Sequence, residues 1–275
     1  MVFHERGKIR RSLEFRCGRC VGCRLSRAQM WSTRCVHEAQ MHDESIFVTF
    51  TYTDEFLPGP SLVYVDFQLF MKRLREAVGP VRFFMCGEYG DENLRPHFHA
   101  LLFGVNFPDR KKFDSKLFTS ATLERLWGKG HCPFGDVTAD SAQYVARYSV
   151  KKVSGDMAIE HYRRFDTATG EIVQCVPEFG RMSLRPGIGY PWFQKYWRDI
   201  CLARDACVVN GKEVSTPRYY DLKLDVEQPV VASDRDYERY LKSLTFDEDD
   251  NSPERLAVQE FVTKAGLDFY TKRNL

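Results

Sequence analysis

Three consecutive blocks decide the fold: Val81-Arg82-Phe83-Phe84-Met85-Cys86-Gly87-Glu88, then Tyr89-Gly90-Asp91-Glu92-Asn93-Leu94-Arg95-Pro96, then His97-Phe98-His99-Ala100-Leu101-Leu102-Phe103-Gly104. The outer blocks are rich in aromatic and aliphatic residues and read as strands; the middle block ends in a polar turn with Gly and Pro. Two strands joined by a short polar turn are most simply an antiparallel pair. Side chains on a strand alternate between faces, so His97 and His99 share one face and Phe98 points the other way, into a core. Antiparallel pairing also brings Glu88, at the end of the first strand, toward the two imidazoles.

Working outward, Ile46 to Tyr52 reads as another strand. Asp66 is expected to cap a helix whose Phe67, Phe70, Met71, Leu74 and Val78 form one apolar stripe, ending at Gly79-Pro80. Upstream, Arg24 to His42 has helical spacing through Leu25, Ala28, Trp31, Cys35 and Ala39. Downstream come a helix over Thr119–Trp127 and a short strand over Asp136–Thr138. Asp140 is the expected N-cap of a helix running through Tyr144 and Tyr148 to Lys152. Past Gly155 the pattern weakens. It retains a turn at Thr169-Gly170, a helix over Tyr190–Arg204 and a tight Asn210-Gly211 hairpin. An acidic loop at Asp247–Asp250 precedes a last helix from Ser252-Pro253.

The strand–helix–strand–strand–helix order predicts an α+β fold: a central antiparallel sheet with helices packed mainly on one face and a functional face on the other. The chain is expected to divide into a basic, cysteine-containing element (1–45), a core (46–155) and a C-terminal extension completing or flanking that core (156–275).

The 275 residues have the apolar and charged fractions of an ordinary globular protein and no apolar run long enough for a membrane span. The first sixteen residues lack the apolar stretch of a signal peptide. The formal net charge of +2 conceals an asymmetry. Residues 1–36 carry nine basic and two acidic groups, whereas residues 221–260 carry twelve acids and five bases. That distribution points to a polyanion bound at one end.

Two imidazoles side by side on a sheet face are costly to bury unless something holds them, and a divalent cation does so. His97, His99 and Glu88 would leave open positions on such an ion, as catalytic sites require. The carboxylate favours Mg2+ or Mn2+. Tyr144, Tyr148 and Lys152 are spaced to share one helical face. A tyrosine can serve as a covalent nucleophile if a neighbouring cation, Lys151, Lys152 or the metal, stabilises its phenolate. Together these groups describe phosphodiester transesterification: attack by a tyrosine, a 5′-phosphotyrosine, and a free 3′-hydroxyl.

Nine cysteines, odd in number and mostly scattered, do not form a disulfide framework and fit a reducing cytosol. Cys17, Cys20 and Cys23 have thiolate–metal spacing. Cys35, His37 or His42 is the expected fourth ligand of a structural Zn2+, with unligated thiols as the alternative. Arg16, Arg19, Arg24 and Arg27 around the cluster, with Lys151, are expected to meet a DNA backbone. Tyr52, Tyr89 and Trp127 are candidates for stacking on single-stranded bases.

In this order, Cys17 to Arg24, Phe47 to Tyr52 with Asp54-Glu55, Gly87 to Gly90, Arg95 to His99 and Tyr144 to Tyr148 resemble the replication initiators of the HUH endonuclease superfamily. The likeness is greatest to those of small single-stranded-DNA microviruses of the gokushovirus type, and it covers roughly residues 15–155. The resemblance implies an enzyme that starts rolling-circle DNA replication by nicking single-stranded origin DNA and later rejoins strands. It places the metal pair on His97 and His99 and the nucleophiles on Tyr144 and Tyr148. Tyr148 is favoured as the first to cut because it is nearer Lys151 and Lys152. It further implies action in the cytoplasm of an infected bacterium, with a host helicase or polymerase as a partner for the acidic tail.

Two other readings stand beside this one. In the first, the chain is a non-catalytic, zinc-stabilised nucleic-acid-binding module with structural histidines. In the second, it is a zinc hydrolase in which His97, His99 and Glu88 activate water, cleaving without a protein–DNA adduct.

Overall fold

Alternating apolar residues along three neighbouring strands build the centre of the molecule. The computed structural model describes residues 2–5, 8–12, 17–147, 152–153, 155–166, 169–245 and 252–273. It opens with an antiparallel pair, β1 (Val2–Glu5) and β2 (Lys8–Ser12), then α1 (Val21–Ala39) and β3 (Ser45–Phe50). Next come α2 (Tyr64–Val78), β4 (Arg82–Tyr89) and β5 (Pro96–Phe103). The short strands β6 (Lys111–Lys112) and β7 (Phe118–Thr119) precede α3 (Ala121–Trp127), β8 (Phe134–Asp136) and α4 (Ala139–Ala146). The hairpin β9 (Arg163–Phe165) with β10 (Ile172–Gln174) is followed by β11 (Phe179–Met182). Helix 190–198 runs into a π-helical turn, 199–204, and then into the hairpin β12 (Ala206–Val209) with β13 (Lys212–Ser215). Helices 218–227, 229–243 and 253–273 follow. Residues 28–246 form one compact unit; residues 1–27 and 247–275 form another. Among the described residues no helix is long and apolar enough to cross a membrane.

Seven strands form one antiparallel sheet in the order β11-β4-β5-β3-β8-β7-β6. On one face Val48, Phe50, Met85, Phe98, Ala100 and Leu102 pack against Phe67, Phe70 and Leu74 of α2 and Trp127 of α3. Burying each such aromatic ring contributes about 1.5–3 kcal/mol. On the other face Phe84, Cys86, Leu101 and Phe103 pack against Cys35 of α1 and against Ala142 and Val145 of α4. The α+β class and antiparallel sheet are as expected, but helices cover both faces where the sequence pointed mainly to one. The cause lies on β5: beyond His97 and His99, the same face continues as Leu101 and Phe103, which must be covered.

Two expected caps are corrected. Asp66 is not the cap of α2, which begins at Tyr64 after Val63. Asp66 is buried in the first turn, accepting from the Tyr52 hydroxyl at 2.9 Å and pairing with Lys129 at 3.1 Å. The N-cap of α4 is Thr138, not Asp140; Thr138 and Ser141 exchange side-chain and backbone hydrogen bonds in a capping box.

Beyond residue 155 the chain joins the sheet through β11, which pairs with β4 from Phe179 opposite Gly87 to Met182 opposite Phe84. Phe193, Ile200, Tyr220 and Leu224 form a further apolar cluster. It is tied to α1 through His37, whose ring stacks on Trp192 at 3.4 Å and whose Nδ1 lies 3.0 Å from the Tyr220 hydroxyl.

Candidate metal centre and nucleophile

The register of β4 on β5 sets Glu88 opposite His97 and Cys86 opposite His99. On the other side of β5, β3 sets Thr49 opposite His99. Directly opposed residues share a face, so all of these side chains project the same way. One donor atom from each of Glu88, His97 and His99 lies within 4.8 Å of the others. The two imidazoles present Nε2 to each other at 3.1 Å, with ring planes 83° apart.

The remaining ring nitrogens are held from behind. His97 Nδ1 lies 3.1 Å from the Arg95 carbonyl. A carbonyl only accepts, so Nδ1 carries the proton and Nε2 offers a lone pair. His99 Nδ1 lies 2.9 Å from the Thr49 hydroxyl. That hydroxyl can accept from it, which turns the Nε2 lone pair of His99 toward the same point. Two lone pairs at this distance repel unless a cation stands between them. Two nitrogens about 2.1 Å from one ion are roughly 3 Å apart when they subtend about a right angle, so the pair fits a divalent metal. Glu88 is 2% exposed, and the Cys86 thiol donates to its Oε1 at 3.2 Å. A carboxylate buried beside two imidazoles is the donor set of an open catalytic site.

Tyr144 reaches this cluster from α4. Ala142 and Val145 seat the helix on the sheet. The Tyr144 ring then meets His99 edge to face at 4.9 Å, and its hydroxyl lies 3.4 Å from His99 Nε2. Phe47 backs both rings, at 5.7 Å from His99 and 6.0 Å from Tyr144. Tyr144 is 45% exposed, so a substrate can reach the phenol.

The expected continuation of this helix to Lys152 is corrected. α4 ends at Ala146, where the Arg147 N–H turns back to the carbonyls of Gln143 and Tyr144. Lys152 is half-buried and not helical, so it does not continue a helical face from Tyr144. Tyr148, Lys151 and Arg16 lie outside the described residues, as does the acidic loop 247–250.

Cys17, Cys20 and Cys23 come together. The expected fourth ligand does not. Cys35 is fully buried in the apolar cluster with Phe84 and Leu101, and burial pushes its thiol far up. His37 is occupied by Tyr220 and Trp192, and burial lowers it to about 3. His42 faces Glu38 at 3.4 Å. Arg19 and Arg27 are exposed and Arg24 is half-buried. The base-stacking candidates are also corrected: Tyr52, Tyr89 and Trp127 are all buried. Tyr52 bonds Asp66, Tyr89 donates to the Val176 carbonyl, and the Trp127 indole donates to the Thr51 carbonyl.

Sequence reasoning missed Thr49 and Phe47. Their signal was period-two spacing in Phe47-Val48-Thr49, but only the strand register shows which residues face His99. A cavity of about 830 Å³ also went unforeseen; Arg95 and Pro96, immediately before His97, line it with Leu94, Arg164 and Phe165. Phe165 is 63% exposed there.

A model of the replication-associated protein ORF2 family matches residues 45–153, a span that contains Glu88, His97, His99 and Tyr144. Replication-associated protein VP4 of Bdellovibrio phage phiMH2K is 35% identical over 225 residues, covering 76% of this chain and 67% of that protein. Replication-associated protein ORF2 of Spiroplasma virus 4 is 31% identical over 232 residues, covering 77% and 68%. Replication-associated protein ORF4 of Chlamydia phage 1 is 26% identical over 243 residues, covering 81% and 55%. No solved structure matches the chain. On two relatives above 30% identity, each covered over two thirds of its length, the chain belongs to the microvirus-type family of replication-associated proteins.

Proposed function

We propose that this protein initiates rolling-circle DNA replication by nicking single-stranded origin DNA with a tyrosine, and that it rejoins strands by the reverse chemistry. The observation that carries this reading is the Tyr144 hydroxyl 3.4 Å from His99 Nε2, beside the Glu88–His97–His99 cluster. A phenol held against a metal-type donor set, on an exposed helix face, suits transfer of a phosphoryl group to the protein.

Glu88, His97 and His99 would hold Mg2+ or Mn2+, which when bound supplies positive charge to a non-bridging oxygen of the scissile phosphate. The chain's own residues do the rest. Arg95 and Thr49 orient the two imidazoles. Phe47 and the α4 capping box fix the position of Tyr144. The Tyr144 oxygen loses its proton and bonds to phosphorus, and the 3′-oxygen of the preceding nucleotide leaves. The products are a 5′-phosphotyrosine and a free 3′-hydroxyl that a polymerase can extend. The phosphotyrosine bond keeps the phosphoryl group reactive, so a later 3′-hydroxyl can displace the tyrosine and close a strand without a nucleotide cofactor. The exposed guanidinium groups of Arg19 and Arg27, with Arg24, would contribute salt-dependent contacts to phosphates.

The test is incubation of the protein with single-stranded origin DNA, labelled at either end, and Mn2+, followed by a denaturing gel. The 3′-labelled fragment should migrate with protein and the 5′-labelled fragment should run free. Both fragments running free would instead favour hydrolysis by an activated water.

Two smaller effects follow from the same geometry. Thr49→Val should weaken Mn2+ binding by roughly 10–100-fold, the usual cost of losing an outer partner of a ligating histidine. Titration followed by the electron paramagnetic resonance of free Mn2+ reads this directly, with circular dichroism unchanged. Phe165→Ala should weaken single-stranded DNA binding by about 1–3 kcal/mol if its ring stacks a base. Fluorescence anisotropy with a labelled oligonucleotide measures it, and an unchanged affinity removes Phe165 from the DNA path.

A further inference from the structure

The turn ahead of α1 holds a second donor cluster with different chemistry. Sγ of Cys17 and Sγ of Cys23 are 3.9 Å apart, and one donor atom from each of Cys17, Cys20 and Cys23 lies within 4.8 Å of the others. Thiolates about 2.3 Å from a tetrahedral Zn2+ stand roughly 3.8 Å apart, close to the spacing seen here. The backbone is shaped around the first sulfur. Gly18, at φ +72°, takes a left-handed conformation that a side chain would disfavour. The turn then aims the N–H groups of Arg19 and Cys20 at Cys17 Sγ, at 3.4 and 3.2 Å. Donation of backbone N–H groups into a sulfur stabilises a thiolate, the form that ligates a metal. Cys17 and Cys20 are exposed and Cys23 is half-buried, so an ion can enter. All nine cysteines are free thiols. The six others are buried, which sets this exposed trio apart from thiols that serve only as core.

We propose that Cys17, Cys20 and Cys23 bind one Zn2+ through three thiolates. This centre is separate from the Glu88–His97–His99 cluster and closes residues 17–23 into a fixed turn. The two centres divide by ligand softness: three sulfurs select zinc, whereas the carboxylate-containing site suits Mg2+ or Mn2+. Because neither site borrows a residue from the other, the zinc centre does not depend on the nicking reading.

The experiment is elemental analysis of the full chain, purified under reducing conditions and dialysed against metal-free buffer, with zinc-edge X-ray absorption on the same sample. About one zinc per chain is expected, with three sulfur scatterers at about 2.3 Å. The zinc should remain in His97→Ala/His99→Ala and be lost in Cys17→Ser/Cys20→Ser. The absorption spectrum of the wild-type protein keeps the test decisive even if the cysteine variant fails to fold. A zinc shell of nitrogen and oxygen alone, iron in place of zinc, retention of zinc by Cys17→Ser/Cys20→Ser, or a metal-free wild-type protein would each overturn the proposal.

Discussion

Tyr144→Phe should lower the rate of covalent protein–DNA adduct formation by on the order of 10³-fold or more, since removing a nucleophile removes the bond that forms. The substitution deletes one oxygen and leaves the ring in its edge-to-face contact with His99 at 4.9 Å. Stability should therefore change by less than about 1 kcal/mol, because the residue is 45% exposed and its ring packing is retained. Residual adduct in Tyr144→Phe would be the work of Tyr148, and Tyr144→Phe/Tyr148→Phe should form none. DNA binding should survive in both variants. Undiminished adduct formation in the double variant would remove tyrosine attack from consideration.

The second large effect is expected at His99. This residue touches three parts of the site at once: His97 at 3.1 Å, Thr49 at 2.9 Å and the Tyr144 hydroxyl at 3.4 Å. His99→Ala should weaken Mn2+ binding by at least about 100-fold, more than loss of an outer partner alone. Cleavage should fall with it. A readout independent of activity is thermal unfolding with and without the ion. At about 100 times its dissociation constant, Mn2+ adds about 2.7 kcal/mol to a protein that binds it only when folded. For a chain of this size that is a rise of roughly 5–10 °C in Tm. The wild-type protein should show the rise and His99→Ala should not. An equal rise in both would place the ion elsewhere.

The parts of this site that could be read from the sequence are those set by short-range periodicity. Period two put His97 and His99 on one face. A short polar turn between two apolar runs implied the antiparallel pairing that sets Glu88 opposite His97. Helical spacing put Tyr144 on a helix. What could not be read depends on contacts distant in sequence. Thr49 is fifty residues from His99 and becomes its partner only through the β3–β5 register. Tyr52 and Tyr89 look like stacking residues until packing buries them, with their hydroxyls bonded to Asp66 and to the Val176 carbonyl. Asp66 has the chemistry of a helix cap, yet its carboxylate is drawn inward by Tyr52 and Lys129. Cys35 has the residue type of a zinc ligand but lies on the apolar side of α1, and only the packing of that helix against Phe84 and Leu101 decides between the two roles.

Trypsin offers a direct test of the central claim, because cleavage after Arg147 separates the two candidate nucleophiles onto different peptides. The protein is trapped with single-stranded origin DNA and Mn2+, treated with nuclease, digested and analysed by mass spectrometry. A nucleotide mass on the peptide ending at Arg147, fragmenting at Tyr144, is the expected result. Cleaved DNA with no modified peptide, or modification confined to the peptide beginning at Tyr148, would contradict the role assigned to the phenol beside His99.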